Sequence, residues 1–103
     1  MNRSKFESFL TKKGTVLVLD GGMGTLLAER GWTPPSLPEK MNLDSPGVLT
    51  DIHSAYRKAG ADIIETNSFG GSPVKLALRG LASRAREINQ RAAELAKTAA
   101  GEN

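Results

Sequence analysis

The chain has 103 residues, 39% of them apolar and 24% charged, with a net charge of +3, no cysteine and a single histidine. That is enough for one small domain around one core, and it excludes disulfides, thiolate metal sites, a zinc site built on His53 unaided and any membrane-spanning apolar run. The basic surplus, including Lys12, Lys13, Arg84, Arg86 and Arg91, is scattered and the aromatics are few, so it reads as solvated surface rather than a nucleic-acid interface.

In chain order, SKFESFLTK (4–12) places Phe6, Phe9 and Leu10 on one face of a short helix that Gly14 ends. The opening stretch has no continuous apolar region of the signal-peptide kind, which makes a cytoplasmic location the expectation. Residues 15–20, TVLVLD, form a nearly continuous apolar run, as expected of a strand buried on both faces in a parallel sheet. Gly24-Thr25 leads into LLAER, a short helix stopped at Gly31. The proline-rich segment GWTPPSLPEKMN reads as an ordered loop pinned by Trp32.

Asp44-Ser45-Pro46 then marks a helix start, a capping side chain followed by proline where its missing N–H is harmless. Val48, Ile52, Ala55, Tyr56 and Ala59 follow at helical spacing, on the same helix as His53, and Gly60 closes it. ADIIETN (61–67) is predicted as a second strand and SFGGSP (68–73) as a loop, before a helical stretch around VKLALR that runs to Gly80. The last helix carries Leu81, Ala85, Ile88, Ala92, Leu95 and Ala99 on one stripe.

Strands alternating with helices imply an α/β fold with parallel pairing through right-handed crossovers. The polar residues of both predicted strands, Asp20 on one and Glu65 and Asn67 on the other, gather at the C-terminal end, where parallel α/β proteins place their sites. Two strands alone make no stable sheet, so the expectation is the opening part of a larger unit, with residues 1–14 as an N-terminal helix. Its open strand edges imply self-association.

The turn DGGMG (20–24) excludes two familiar phosphate motifs. Leu27 stands where a dinucleotide fingerprint needs its third glycine, and no Gly-Lys-Ser/Thr triplet forms a P-loop. Asp20 would repel phosphate. Two readings of the turn stand. Either Asp20 caps the short helix, or it takes an ammonium group while the amides of Gly21, Gly22, Met23 and Gly24 take a carboxylate, as a zwitterion requires.

The segments LVLDGGMGTLL, MNLDSPGVLTDIHSAYRKAGADIIETNSFGG and INQRAAELAKTAAGE together resemble the homocysteine S-methyltransferase family, most nearly the homocysteine-binding module of its cobalamin-dependent members. The likeness covers roughly residues 15–102. It implies that residues 15–103 are the first two β/α units of a (β/α)₈ TIM-type barrel, with parallel strands at 15–20 and 61–67, truncated before the third strand. It implies methyl transfer to the thiol of homocysteine, giving methionine, with zinc holding the sulfur and cobalamin as a methyl carrier. The zinc-binding cysteines and the elements that receive the methyl donor have no counterpart in this chain, so by itself the segment is expected to be inactive.

The resemblance also implies that Asp20 contacts the substrate amino group, that Gly21, Gly22, Met23 and Gly24 hold its carboxylate, and that Thr66, Asn67, Ser68 and Phe69 line the pocket. Plain packing of Phe69 beneath the loop stands beside that reading, and Glu65 reads as a buried hydrogen-bonding residue rather than a base. Two other functions stay open. One is a non-catalytic α/β module that binds a small anion or amino acid through the DGGMG turn. The other is a fragment that completes a barrel with a second polypeptide.

Overall fold

The computed structural model describes residues 3–12, 14 and 16–101; residues 1, 2, 13, 15, 102 and 103, which fall within the expected N-terminal helix, first strand and chain end, lie outside the described residues. The helices are α1 (Arg3–Thr11), α2 (Gly24–Glu29), α3 (Met41–Asp44), α4 (Pro46–Lys58), α5 (Pro73–Ala77) and α6 (Ala85–Ala100), with 3-10 turns at Pro38–Lys40 and Ala82–Arg84.

Apolar spacing accounts for the two long ones. In α4, Leu49 and Ile52 fall on one face and are buried, and in α6 Ala85, Ile88, Ala92, Leu95, Ala96 and Ala99 do the same. Leu27, Met41, Leu49, Ile52 and Leu95 form the main cluster, with Met23, Trp32 and Tyr56 packed at its margin. A second cluster joins Leu76, Ala85 and Ile88. Each fully buried leucine adds roughly 1.5–3 kcal/mol, so helix-on-helix burial supplies most of the stabilisation.

Local signals set the ends of these helices. Pro46 stands in the first turn of α4, but Ser45 makes no capping bond and Asp44 closes α3 instead. Gly60, just past α4, has φ +112°, a conformation that favours glycine. Arg57, in the last turn of α4, donates from Nη1 to Ala99 O at 3.1 Å and so satisfies a carbonyl near the end of α6. Trp32 Nε1 donates to Ser36 O at 2.9 Å, closing the proline-rich loop. Residues 38–42, expected within that loop, are helical, and Leu81 precedes the final helix rather than lying on it.

The predicted α/β fold is not what the chain adopts. Among the described residues there is no β-strand; the segments expected to pair, 15–20 and 61–67, meet at one isolated parallel bridge, Leu19 with Ile63. Ile63 N–H donates to Val18 O at 3.2 Å and Asp20 N–H to Ile63 O at 2.9 Å. A parallel ladder would continue with Val18 N–H on Ala61 O and Glu65 N–H on Asp20 O, at even spacing. Neither bond forms. Val18 N–H goes to Asp62 Oδ2 at 2.9 Å, and Glu65 N–H to Asp20 Oδ2 at 3.1 Å. Ala61 N–H turns back to Tyr56 O at the end of α4. Two carboxylates and a helix terminus have taken the amides a sheet would use.

Burial agrees with this correction. Val16 is 82% exposed and Val18 and Leu19 about half, so the apolar run is not covered on both faces. An apolar run reports hydrophobicity, not what covers it. Leu17, Ile63 and Ile64 join Phe6 and Phe9 of α1 around an open cavity of about 410 Å³. No residue of α1 is buried. Among the described residues no helix is long and apolar enough to cross a membrane.

One polar network is largely buried. Asn42 Nδ2 donates to Asn67 O at 2.9 Å and to Ile88 O at 3.3 Å. Asn67 Nδ2 returns bonds to Asn42 Oδ1 at 3.0 Å and Pro38 O at 3.1 Å. It ties α3, α6 and the segment after the bridge into one unit. Alongside it, Asn89 Nδ2 donates to Gly71 O at 2.7 Å and Ala85 O at 2.9 Å, holding the 68–72 loop against α6. Ser72 Oγ accepts from Lys75 N–H and caps α5.

Replacing Asn42 with alanine removes its bonds to Asn67 O and Ile88 O and leaves the Asn67 side-chain amide with Pro38 O alone. We expect Asn42→Ala to lower stability by about 1–3 kcal/mol in urea unfolding, while Ala82→Ser, on the exposed 3-10 turn, changes it by less than about 0.5 kcal/mol.

Candidate functional site

The site is built where the bridge ends. After Asp20 N–H has paired with Ile63 O, the chain leaves through Gly21 and Gly22 and enters α2 at Gly24. The Asp20 carboxylate is divided: Oδ2 accepts from Glu65 N–H, whereas Oδ1 is buried with no protein partner. The helix-capping reading of Asp20 is not met, because Met23 stands at the N-cap of α2 and no side chain caps that end. Asp20 instead joins the two chain segments across the bridge.

Tyr56 fastens the glycine turn. Its Oη donates to Gly22 O at 2.6 Å, and its ring lies against Gly21 so closely that a Cβ there would come within 3.0 Å of Oη and 3.3 Å of Cε1. Only glycine passes at that distance without displacing the ring. Gly22 and Gly24 have open space where a side chain would be, and Met23 packs half-buried against the main cluster. Among the described residues no protein acceptor pairs with the amides of residues 21–24.

His53 lies three residues before Tyr56 on α4, and therefore on the same helix face. It is fully buried, and neither ring nitrogen has a protein partner. Burial pushes its pKa below the ordinary 6.5, and the negative charge of Asp20 pulls in the opposite direction with smaller effect. The imidazole is therefore neutral at pH 7.

The segment after the bridge supplies the other predicted residues. Thr66 Oγ1 and Ser68 Oγ share a hydrogen bond at 2.6 Å, and Ser68 N–H donates to Thr66 O at 2.9 Å, a tight turn beside Asp20's partner Glu65. The side chain of Asn67 points the other way, into the buried pair with Asn42. Phe69 neither packs beneath the loop nor enters a pocket: it is fully exposed, with Lys75 Nζ 5.4 Å from its ring centre. Glu65, expected to be a buried hydrogen-bonding side chain, is exposed, and its bonded group is the backbone amide.

The structure thus gathers Asp20, the glycine turn, Tyr56 and His53, with Thr66 and Ser68 joined through Glu65. Sequence reasoning missed the parts of Tyr56 and His53. Their signal was their register with Leu49 and Ile52, which sets both on the inward face of α4.

Residues 17–103 match the family model described as homocysteine S-methyltransferase. A methionine synthase from Mycobacterium leprae (strain TN) is 37% identical over 93 residues, covering 84% of this chain and 8% of that protein. The chain thus spans a small part of the length of the curated relative it matches.

Two expectations test the site's construction. Tyr56→Phe removes the bond to Gly22 and is expected to lower stability by about 0.5–1.5 kcal/mol in urea, with the Gly21 and Gly22 amide resonances shifting most. His53 gains its proton more readily unfolded than folded. Its contribution is therefore full above about pH 6.5 and lost as pH falls through the lower folded value. Urea midpoints measured between about pH 7.5 and pH 5 should fall more steeply for the native chain than for His53→Gln.

Proposed function

Since the chain belongs to the homocysteine S-methyltransferase family, we propose that it supplies the amino-acid-binding part of methyl transfer to the thiol of homocysteine, the reaction that forms methionine. Asp20 Oδ1 receives the substrate ammonium. The amides of Gly21, Gly22, Met23 and Gly24 receive its carboxylate. Thr66 and Ser68 offer hydroxyls at the rim, and Asn67 holds that rim in place through Asn42. The two ends of a zwitterion would thus be met a few residues apart.

One observation carries this reading. Asp20 Oδ1 is buried and lacks a protein partner, next to a glycine turn whose carbonyl side is tied to Tyr56. A carboxylate oxygen left in that condition costs on the order of 1–3 kcal/mol, which a ligand cation would offset. Oδ2, engaged by Glu65 N–H, keeps the group oriented meanwhile.

The family also implies zinc at the thiol and cobalamin as the methyl carrier. This chain's residues do not fit the zinc: the sequence holds no cysteine, and among the described residues no three metal-binding side chains stand together. Thiol activation and methyl delivery are therefore assigned to no residue here. The proposed part of this chain is recognition.

Calorimetric titration of the 103-residue chain with L-homocysteine and with 4-mercaptobutanoate, which lacks the amino group, tests the assignment. Asp20→Asn keeps the shape and removes the charge. It should weaken homocysteine binding about ten- to a hundred-fold, the equivalent of roughly 1.5–3 kcal/mol for a charge-assisted bond. Binding of the deaminated analogue should stay the same or improve. An equal response of both ligands would select the small-anion module instead.

A further inference from the structure

Buried polar groups without partners are rare in native proteins, and each needs a physical account. Among the described residues the unpartnered side-chain atoms are Asp20 Oδ1 and the two ring nitrogens of His53. They are not scattered. Asp20 adjoins Gly21, Gly21 lies against the Tyr56 ring, and His53 is three residues from Tyr56 on the same face of α4.

Their chemistry is complementary. A neutral imidazole has one N–H donor, and an ionised carboxylate only accepts. On the inward face of α4, Leu27 from α2, Met41 from α3 and Leu95 from α6 pack with Leu49 and Ile52. Asp20 is the charged group whose field reaches His53.

We propose that His53 is a positioning residue for Asp20: its buried ring N–H donates, through one bridging water, to Asp20 Oδ1, and so holds the carboxylate at the mouth of the glycine turn. The water donates one hydrogen to Oδ1 and accepts one from the ring, leaving the carboxylate ionised and aimed. This rests on the ammonium-binding role of Asp20 given above. It adds that the strength of the contact depends on a residue that never touches the ligand. The bridge also requires neutral His53, since a second ring proton would set a cation beside the ammonium site.

The test has two arms, of which the first needs no ligand. The His53 ring is followed by NMR through a pH titration in the native chain and in Asp20→Asn. Loss of the facing charge should move the His53 midpoint to lower pH and change the ring nitrogen shifts. An unchanged ring would overturn the pairing.

The second arm measures homocysteine affinity. His53→Leu should weaken binding about three- to tenfold, and His53→Gln, which keeps an N–H donor, should return it to within about twofold of the native value. Equal losses in both variants, with urea midpoints also equally lowered, would make His53 a packing residue and overturn the proposal. If His53→Leu does not fold, the ligand-free titration decides. Should the native chain bind no homocysteine while the ring still responds to Asp20→Asn, the ammonium reading of Asp20 falls and the pairing stands.

Discussion

Leu49 and Ile52 on α4 lie against Leu27 and Leu95, and the rest of the molecule takes its geometry from that contact. With these two side chains buried, rotation of α4 about its axis is closed off, because turning it would return both to water. The same rotation setting brings Tyr56 under the glycine turn and His53 into the interior. Arg57, the residue after Tyr56, reaches the end of α6. The site is therefore not assembled by its own polar contacts. It is aimed by hydrophobic burial one turn away.

Asp20 shows how such a site competes with regular structure. Its Oδ2 takes the Glu65 amide that a growing ladder would direct to a backbone carbonyl. Asp62 does the same at the other flank, on Val18. A carboxylate that accepts a backbone N–H is held in one orientation. The pairing between the two segments stays a single bridge as a result. Local sheet extension and an available carboxylate draw on the same amide.

Much of the helical content was legible because amphipathic spacing is a local signal. Ile88, Ala92, Leu95 and Ala99 repeat at helical intervals, and the structure buries each of them. Pro46 at the start of α4 and Gly60 beyond its end marked the bounds for simple conformational reasons. The misreading concerned Val16, Val18 and Leu19. Their composition suits a strand, but pairing depends on which acceptor each amide finds, and Asp62 and Asp20 are side chains whose reach no period reveals. At the site, the glycine turn and Asp20 were visible as a pattern. The role of His53 was not, since its register with Leu49 and Ile52 shows that it turns inward but not that its ring nitrogens lack a partner there.

The loop held by Asn89 carries a consequence for which substitutions this surface can accept. A side-chain carbon on Gly71 would collide with Asn89, whose amide is already fixed by bonds to Gly71 and Ala85. One on Gly70 would meet the end of Glu39, a flexible side chain but one enclosed by burial. Phe69, immediately before them, projects entirely into solvent. Over three consecutive residues, drift in sequence should thus be free at the first, resisted at the second and nearly forbidden at the third. Variation along this rim would concentrate in the character of one projecting side chain while the backbone beneath it keeps its course.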